Sequence, residues 1–165
     1  MIKLGIIGFS KNNGHPYSFS AIINGYDKKY FKKVGYPQIL NYLEKQKKKN
    51  FFIKDVKITH AWSQDFKKTK LLCDACKIKK PLRNLNDMIN NVDGVILARD
   101  DWKSHKKLAS IFLEKKIPVF IDKPLTLSIK ELKYFKRFAD QKLLMSCSAL
   151  RFSNELKSIK KEIRN

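Results

Sequence analysis

Long apolar runs and cysteines are scarce in this sequence of 165 residues. No segment approaches the roughly 18 consecutive apolar residues that suggest a membrane span. The opening stretch MIKLGIIGFS has a single lysine and no small-residue cleavage site of the kind that follows a secretory signal. We therefore expect a soluble protein that stays in the cytoplasm.

The three cysteines are too few for a disulfide framework. Cys73 and Cys76 have the CxxC spacing of a redox or half-zinc motif. However, no second CxxC pair and no clustered histidines complete a set of four metal ligands. We expect reduced thiols on a helix face and no metal site.

Arginine is scarce although the chain is strongly basic. Lysine and arginine number 36 against 15 aspartates and glutamates, a net charge of +21, yet only five of the basic residues are arginines. A basic chain can bind nucleic acid through its phosphates, but recognition of base edges favours arginine. The lysines are spread along the whole chain, and an AT-rich genome would also produce such a lysine-rich composition. Nucleic-acid binding is therefore kept only as an alternative to the principal function.

Short apolar strands alternate with amphipathic helices along the chain. The runs IKLGIIG, DVKITHAW, VDGVILA, IPVFI and LLMSCSAL have the composition of strands, and most of the segments between them have helical periodicity. This alternation predicts an α/β protein with one doubly wound parallel sheet in a single domain, residues 1–152. Residues 26–55 form an irregular insertion rich in aromatic residues, and residues 153–165 are predicted to form one further helix.

A glycine-bearing turn follows the first strand. Gly8, Ser10 and Gly14 lie close to the GxGxxG pattern, in which glycines let the backbone approach a pyrophosphate at a helix N-terminus. Ser10 stands where the second glycine belongs, and the loop is one residue longer than the pattern. The turn is therefore either a nucleotide site or a structural connection between strand and helix.

The end of the second strand offers candidates for binding a ribose. A carboxylate that holds the adenosine ribose is expected after this strand, and Ser63 and Asp65 are the residues found there. Ser63 is also placed to cap the next helix, and Asp65 to lie in its first turn, where a carboxylate complements the helix dipole. Both interpretations of Asp65 remain open.

Polar residues follow the next two strands as well. Arg99, Asp100, Asp101 and His105 come after VDGVILA, where the carboxylates either contact a ligand or cap the following helix, and the histidine is either functional or packed. Asp122, Lys123 and Pro124 come after IPVFI. The proline restricts the backbone of Lys123, so its ammonium is placed at the sheet edge, where it can polarise a hydroxyl or carbonyl with Asp122 close enough to tune it.

The ordered set of motifs resembles the amino-terminal half of the Gfo/Idh/MocA oxidoreductases. The segments that carry the resemblance are IKLGIIGFS and NGH, VDGVILARDDWKSH, IPVFIDKPLTLSIKEL and LLMSCSALRF, from about Ile2 to Phe152. The resemblance implies a Rossmann domain that binds NAD or NADP. It also implies hydride transfer between the nicotinamide and a carbon bearing a hydroxyl, commonly on a sugar or cyclitol.

The resemblance assigns roles to residues of this chain. Gly8, Ser10 and Gly14 match the phosphate turn, and Lys123 matches the lysine near the reacting carbon, with Asp122 in place of the usual glutamate. The other matches are the loop beside the nicotinamide ribose (Ala98, Arg99, Asp100, Asp101), the histidine that opens the next helix (His105) and the arginine at the domain junction (Arg151).

Family members continue into a second α/β domain that supplies most of the substrate pocket and usually an acid–base histidine. Only SNELKSIKKEIRN follows ALRF here, so we expect a truncated form or a nucleotide-binding half that acts with something else. The alternatives are a non-catalytic Rossmann module that binds a small ligand or a protein, and a basic nucleic-acid-binding protein. Association into a homo-oligomer is left open.

Overall fold

The computed structural model describes residues 1–153 and Leu156. Its centre is a six-stranded parallel sheet in the order β3-β2-β1-β4-β5-β6. The strands are β1 (Ile2–Ile7), β2 (Val56–Trp62), β3 (Lys80–Leu82), β4 (Gly94–Leu97), β5 (Val119–Ile121) and β6 (Leu144–Ser146). The predicted doubly wound α/β fold is confirmed, and the strand order reverses between β1 and β4.

Helices connect the strands on both faces of the sheet. They are α1 (His15–Asn24), α2 (Lys28–Phe31), α3 (Pro37–Lys45), α4 (Phe66–Cys76), α5 (Trp102–Leu113) and α6 (Ile129–Asp140). Single 3-10 turns occupy Lys48–Asn50, Leu85–Met88 and Ala149–Phe152. None of the helices within the described residues is long and apolar enough to cross a membrane. Most of the predicted helix 153–165 lies outside the described residues.

The core is divided by the sheet into two clusters, because successive strand residues point to opposite faces. Ile6 packs with α1, α4 and the inserted segment, whereas Ile7 packs with α5, α6 and Met88. Within the insertion, Phe31 is 1% exposed and makes edge-to-face contacts with Tyr17 and Tyr26. The insertion therefore contains two helices, α2 and α3, and its aromatic residues belong to the first core cluster.

β3 is a strand that the sequence patterns do not predict. It has three residues, one of them Pro81, and it pairs with β2 from His60 to Trp62 at the edge of the sheet. Proline cannot donate a hydrogen bond to a neighbouring strand, so it is tolerated at such an edge. The residues of β3, Lys80, Pro81 and Leu82, form no run of apolar or β-branched residues of the kind that identifies the other strands.

A buried asparagine extends the hydrogen bonding of β2 where β3 does not reach. Asn24, at the end of α1, donates from Nδ2 to the carbonyl of Ile58 at 2.8 Å, and its Oδ1 accepts the Ile58 N–H at 2.9 Å. The register of the β1–β2 pair shifts at this point, between Leu4 and Gly5. Asn24 thus replaces a strand neighbour and fixes the carboxyl end of α1 to the sheet.

Candidate functional site

The residues singled out in the sequence lie at the carboxyl edge of the sheet. Gly8 follows β1, Ser63 follows β2, Ala98 follows β4 and Asp122 follows β5. β1 and β4 are the neighbours at which the strand order reverses, and ligands of open parallel sheets bind at such a point. The edge is held together by side chains from all four strand ends.

The glycine turn joins β1 closely to α1. A Cβ atom added to Gly8 would lie 2.6 Å from Cγ of Pro16, in the first turn of α1, so only glycine allows this approach. Gly14 is the N-cap residue of α1, and a Cβ there would meet Ile39 and Tyr36 from the insertion. The two glycines therefore serve close packing, one against α1 and the other against the inserted segment.

Ser10 links the turn to the loop after β4. Its hydroxyl donates to the carboxylate of Asp100, and the Asp100 N–H donates to Ser10 Oγ at 3.3 Å. Within the part of the chain that the structure describes, the N–H groups of residues 10–12 have no protein acceptor. A row of unpaired N–H groups favours an anion, whereas the Asp100 carboxylate disfavours one.

Arg99 is the centre of a second set of contacts. Its side chain is 11% exposed, and its guanidinium donates to both carboxylate oxygens of Asp101 at 2.7 and 2.8 Å and to Gln64 Oε1 at 2.8 Å. Gln64 Nε2 in turn donates to the Phe9 carbonyl at 2.7 Å. Partial burial raises the pKa of Asp101, but the hydrogen bonds and charge of Arg99 outweigh it, so this pKa lies below its ordinary value.

The loop after β2 differs from the expectation for Ser63. Asp65, rather than Ser63, is the N-cap residue of α4, and its carboxylate accepts the N–H groups of Lys67 and Lys68 at 2.9 and 3.1 Å. Ser63 is 5% exposed and its hydroxyl donates to the Asp65 carbonyl at 2.8 Å. The prediction that Ser63 caps the helix is wrong, because the helix begins two residues later than its pattern indicates.

His105 and Ala98 are fully buried. The ring nitrogens of His105 lie 2.9 Å from the Leu125 carbonyl and 3.0 Å from the Arg99 carbonyl. The imidazole therefore joins the loop after β5 to the loop after β4. Its side chain lies behind the edge, so any contact of His105 with a cofactor would be indirect.

Asp122 and Lys123 have different surroundings. The Asp122 side chain is 3% exposed; one of its oxygens accepts the Lys123 N–H at 2.8 Å and the other is hydrogen-bonded to Nδ1 of His15. Asp122 therefore contacts the backbone of Lys123, and not its ammonium as the sequence suggests. The Lys123 side chain is exposed and makes no ion pair with any described residue.

Three contact residues of this edge were not among the predicted site residues: Gln64, His15 and Ser104, whose hydroxyl accepts a hydrogen bond from Arg99 Nε at 3.1 Å. Gln64 had no motif to indicate it, and His15 stood only inside the NGH stretch. Arg151, predicted for the domain junction, lies in the 3-10 turn Ala149–Phe152. Cys73 and Cys76 are free and buried, and no group of three or more potential metal ligands occurs among the described residues.

The edge fits the adenosine and diphosphate end of a dinucleotide in three respects. The glycine turn is tight, the N–H groups of residues 10–12 are available, and a cavity of about 560 Å³ opens beside the turn. That volume lies within the usual range for small-molecule sites. The carboxylate of Asp100 opposes a diphosphate.

Comparison with solved structures shows the same fold. The scyllo-inositol dehydrogenase of Lactobacillus casei, solved with NAD(H) and scyllo-inositol, has a TM-score of 0.67 at 17% identity, covering 99% of this chain and 41% of that one. A probable dehydrogenase of Thermotoga maritima has a TM-score of 0.68 at 16% identity, and the match covers 99% of this chain and 41% of that one. The biliverdin reductase of Synechocystis, solved in complex with biliverdin and NADP⁺, has a TM-score of 0.64 at 16% identity, and the match covers 99% of this chain and 43% of that one.

This chain spans about two-fifths of the length of those proteins. A search of curated proteins finds no match. The sequence profile described as "Oxidoreductase family, NAD-binding Rossmann fold" matches residues 31–148, a range that begins after the glycine turn. Because this range is well over half of the 165 residues, the chain belongs to the Gfo/Idh/MocA oxidoreductase family, as its NAD-binding Rossmann domain.

Proposed function

We propose that this chain binds NAD or NADP at the carboxyl edge of its sheet. It would be the nucleotide-binding portion of an oxidoreductase that acts on a sugar- or cyclitol-like hydroxyl or carbonyl. The observation that carries the proposal is the tight glycine turn, whose N–H groups of residues 10–12 have no acceptor among the described residues and border a cavity of about 560 Å³, with the exposed Lys123 at the same sheet edge. A bound nicotinamide would supply the hydride chemistry.

The residues of the edge have separate roles in this proposal. Lys123 presents an exposed ammonium, without an ion pair to any described residue, that can polarise a substrate oxygen and lower the energy of a developing alkoxide. Asp122 is a positioning residue, because its buried carboxylate holds the Lys123 backbone and the His15 ring. The loop from Ala98 to Asp101 would border the nicotinamide ribose, and His105 holds that loop from behind.

The substrate class is proposed from the chemistry of Lys123, because proteins of the same fold bind several kinds of compound. The solved neighbours include enzymes bound to scyllo-inositol, to L-tartaric acid and to biliverdin, so the fold alone does not select one compound. We propose a polyol because an ammonium such as that of Lys123 suits a hydroxyl or carbonyl oxygen better than an extended apolar ligand.

Titration of the chain with NADH and NADPH, followed by nicotinamide fluorescence or calorimetry, tests the proposal. We expect saturable binding by at least one of them in the micromolar to low millimolar range. A folded chain that binds neither cofactor at millimolar concentration would refute it. Circular dichroism of the same sample supplies the control for folding.

A non-catalytic module that binds a small ligand or a protein is the second candidate, and the Ser10–Asp100 hydrogen bond favours it. This bond places a carboxylate where a diphosphate would approach. If the wild-type chain binds no dinucleotide but Ser10→Gly does, the altered turn excludes the cofactor and the second candidate is supported. If both variants bind equally, Ser10 is irrelevant to cofactor affinity.

Nucleic-acid binding is a third candidate, which rests only on the net charge of +21. It predicts affinity that falls steeply with salt and that NADH does not displace. A filter-binding series at increasing salt, with and without NADH, distinguishes it from the first proposal. A cytoplasmic location and association into a homo-oligomer stay predictions.

A further inference from the structure

An exposed apolar tip lies at the amino edge of the sheet, the edge opposite the candidate cofactor site. Phe52 and Ile53, in the turn before β2, are 60% and 51% exposed, and Met1 and Ile2, beside the start of β1, are exposed as well. The Ile2 N–H donates to the Asp55 carbonyl at 2.6 Å, so residues 1–2 lie beside the turn. Exposed apolar side chains that lie together indicate an interaction surface.

The backbone holds the tip in place. The Phe52 N–H donates to the Ile22 carbonyl near the end of α1 at 3.0 Å, and the Val56 N–H donates to the Ile53 carbonyl at 3.2 Å. Phe52 has a positive φ of 67°, which is rare for a bulky residue. Its ring rests against Gly25, and packing does not bury it. A backbone conformation that costs energy and leaves the ring exposed favours a function for the ring.

Lysines surround the apolar tip. Residues 45–57 contain six lysines and a single aspartate. The exposed lysines of this stretch are Lys45, Lys47, Lys48, Lys49 and Lys54. Lys77 lines the cavity of about 510 Å³ that Phe52 borders, and Lys142 lines the apolar cavity that Ile53 borders. None of these lysines makes an ion pair with a described residue.

The carboxylates near the tip are few. Glu44 is paired with Lys28 at 2.7 Å, and Asp93 accepts the Lys3 N–H at 2.7 Å. Asp55 is exposed and makes no ion pair with a described residue. One such carboxylate does not neutralise five exposed lysines, so the border of the tip stays positively charged.

Apolar side chains within a ring of lysines are complementary to an anionic lipid bilayer. Lysines are attracted to its negatively charged head groups, and apolar side chains enter the boundary between head groups and acyl chains. Such a peripheral contact requires no membrane-spanning helix. Nucleic acid offers the same negative charge, but it stacks its bases on aromatic rings, and three of the four side chains of the tip are not aromatic. The composition of the tip therefore favours lipid.

We propose that the amino edge of the sheet binds the surface of anionic lipid bilayers. The apolar tip (Met1, Ile2, Phe52 and Ile53) enters the interface, and the lysines around it contact the head groups. The proposal goes beyond the proposed function and is independent of it, because the candidate cofactor site lies at the opposite edge of the sheet. That site then faces away from the bilayer, so a ligand can occupy it while the chain is bound to lipid.

Co-sedimentation of the full chain with lipid vesicles tests the proposal. The probes are vesicles of phosphatidylcholine alone and vesicles that contain about one-third phosphatidylglycerol, at about 0.15 M ionic strength. We expect the anionic vesicles to be bound at least about tenfold more tightly. Ile53→Ser should weaken this binding about fivefold or more. Leu132→Ser is the matched control, because Leu132 is 52% exposed and lies on α6, away from the tip.

A pair of triple variants tests the lysines. Replacement of Lys47, Lys48 and Lys49 by alanine should weaken binding to the anionic vesicles at least about tenfold, since each lysine near such a surface contributes about fivefold. The control removes three exposed lysines of α5 and α6 that make no ion pair with a described residue, namely Lys107, Lys130 and Lys133. It should weaken binding less than about threefold, because salt screens distant charges.

Three results would overturn the proposal. An equal loss in the two triple variants would show that only the overall charge matters. An effect of Ile53→Ser no larger than that of Leu132→Ser would show that the tip does not enter the bilayer. Binding to duplex DNA that the Lys47–Lys49 replacement abolishes, without binding to anionic vesicles, would assign the lysines to nucleic acid. Circular dichroism verifies that each variant is folded.

Discussion

Asn24 provides the sharpest test of how the fold is held together. The side chain is 4% exposed and makes two hydrogen bonds, at 2.8 and 2.9 Å, to the N–H and carbonyl groups of Ile58, which is completely buried. In Asn24→Ala both backbone groups lose their partner inside the core. An unsatisfied buried polar group costs about 1–3 kcal/mol, so we expect a loss of about 2–4 kcal/mol in the free energy of unfolding.

Urea unfolding followed by circular dichroism measures this loss, and the slope of the transition shows whether the compactness of either state changes. Asn91→Ala is the control, because Asn91 is exposed and its amide bonds only neighbouring carbonyls of a loop. It should change the stability by less than about 0.5 kcal/mol. If Asn24→Ala is no more destabilising than Asn91→Ala, the assigned role of Asn24 as a strand neighbour is wrong.

Three further predictions concern the edge and the core. Gly8→Ala places a Cβ 2.6 Å from the ring of Pro16 and should lower the free energy of unfolding by about 1–3 kcal/mol. Gly94→Ala, whose Cβ would have its nearest contact at 3.3 Å, should destabilise the chain less, and thermal unfolding compares the two variants. Because the pKa of Asp101 is lowered in the folded state, its contribution is present above the unfolded pKa and lost as the pH falls through the folded one. The difference in melting temperature between wild type and Asp101→Asn should therefore shrink below about pH 4, and a constant difference down to pH 2 would contradict this. Burial raises the pKa of Cys73 to about 12, so iodoacetamide at pH 8 should modify it only after unfolding; mass spectrometry that finds rapid alkylation of the native chain would refute this.

The fold was predictable from the sequence wherever a strand belongs to an apolar or β-branched run. β1 and β4 consist of apolar runs that end near a loop, and Ser128 correctly marks the start of α6, since its hydroxyl accepts the Glu131 N–H. β3 was not predictable, because it has three residues and a proline, and its pairing depends on β2 being already in place. β6 is equally short and only partly buried, but it was predictable because it lies in the apolar run LLM, so the local run of apolar residues decides what the sequence can indicate.

The location of the candidate site was more predictable than its contacts. Parallel strands place all of their carboxyl ends at one edge, so the order of elements is enough to bring Gly8, Arg99 and Asp122 to the same region. The contacts between Ser10 and Asp100, 90 positions apart in the chain, depend on side-chain directions at the ends of two strands. No spacing in the sequence encodes such a pair, and the same holds for Gln64 with Arg99.

The hydrogen bond between Ser10 and Asp100 would lower the affinity of this chain for a cofactor phosphate that binds at Ser10. The turn already holds an internal anion, the Asp100 carboxylate, on the hydroxyl group that stands in the place of a glycine. A diphosphate that approaches Ser10 must displace this carboxylate, so binding is an exchange of one anion for another. The free energy of breaking the internal bond would be subtracted from the affinity, and Asp100 stands between Arg99, whose carbonyl lies 3.0 Å from the His105 ring, and Asp101, which Arg99 holds.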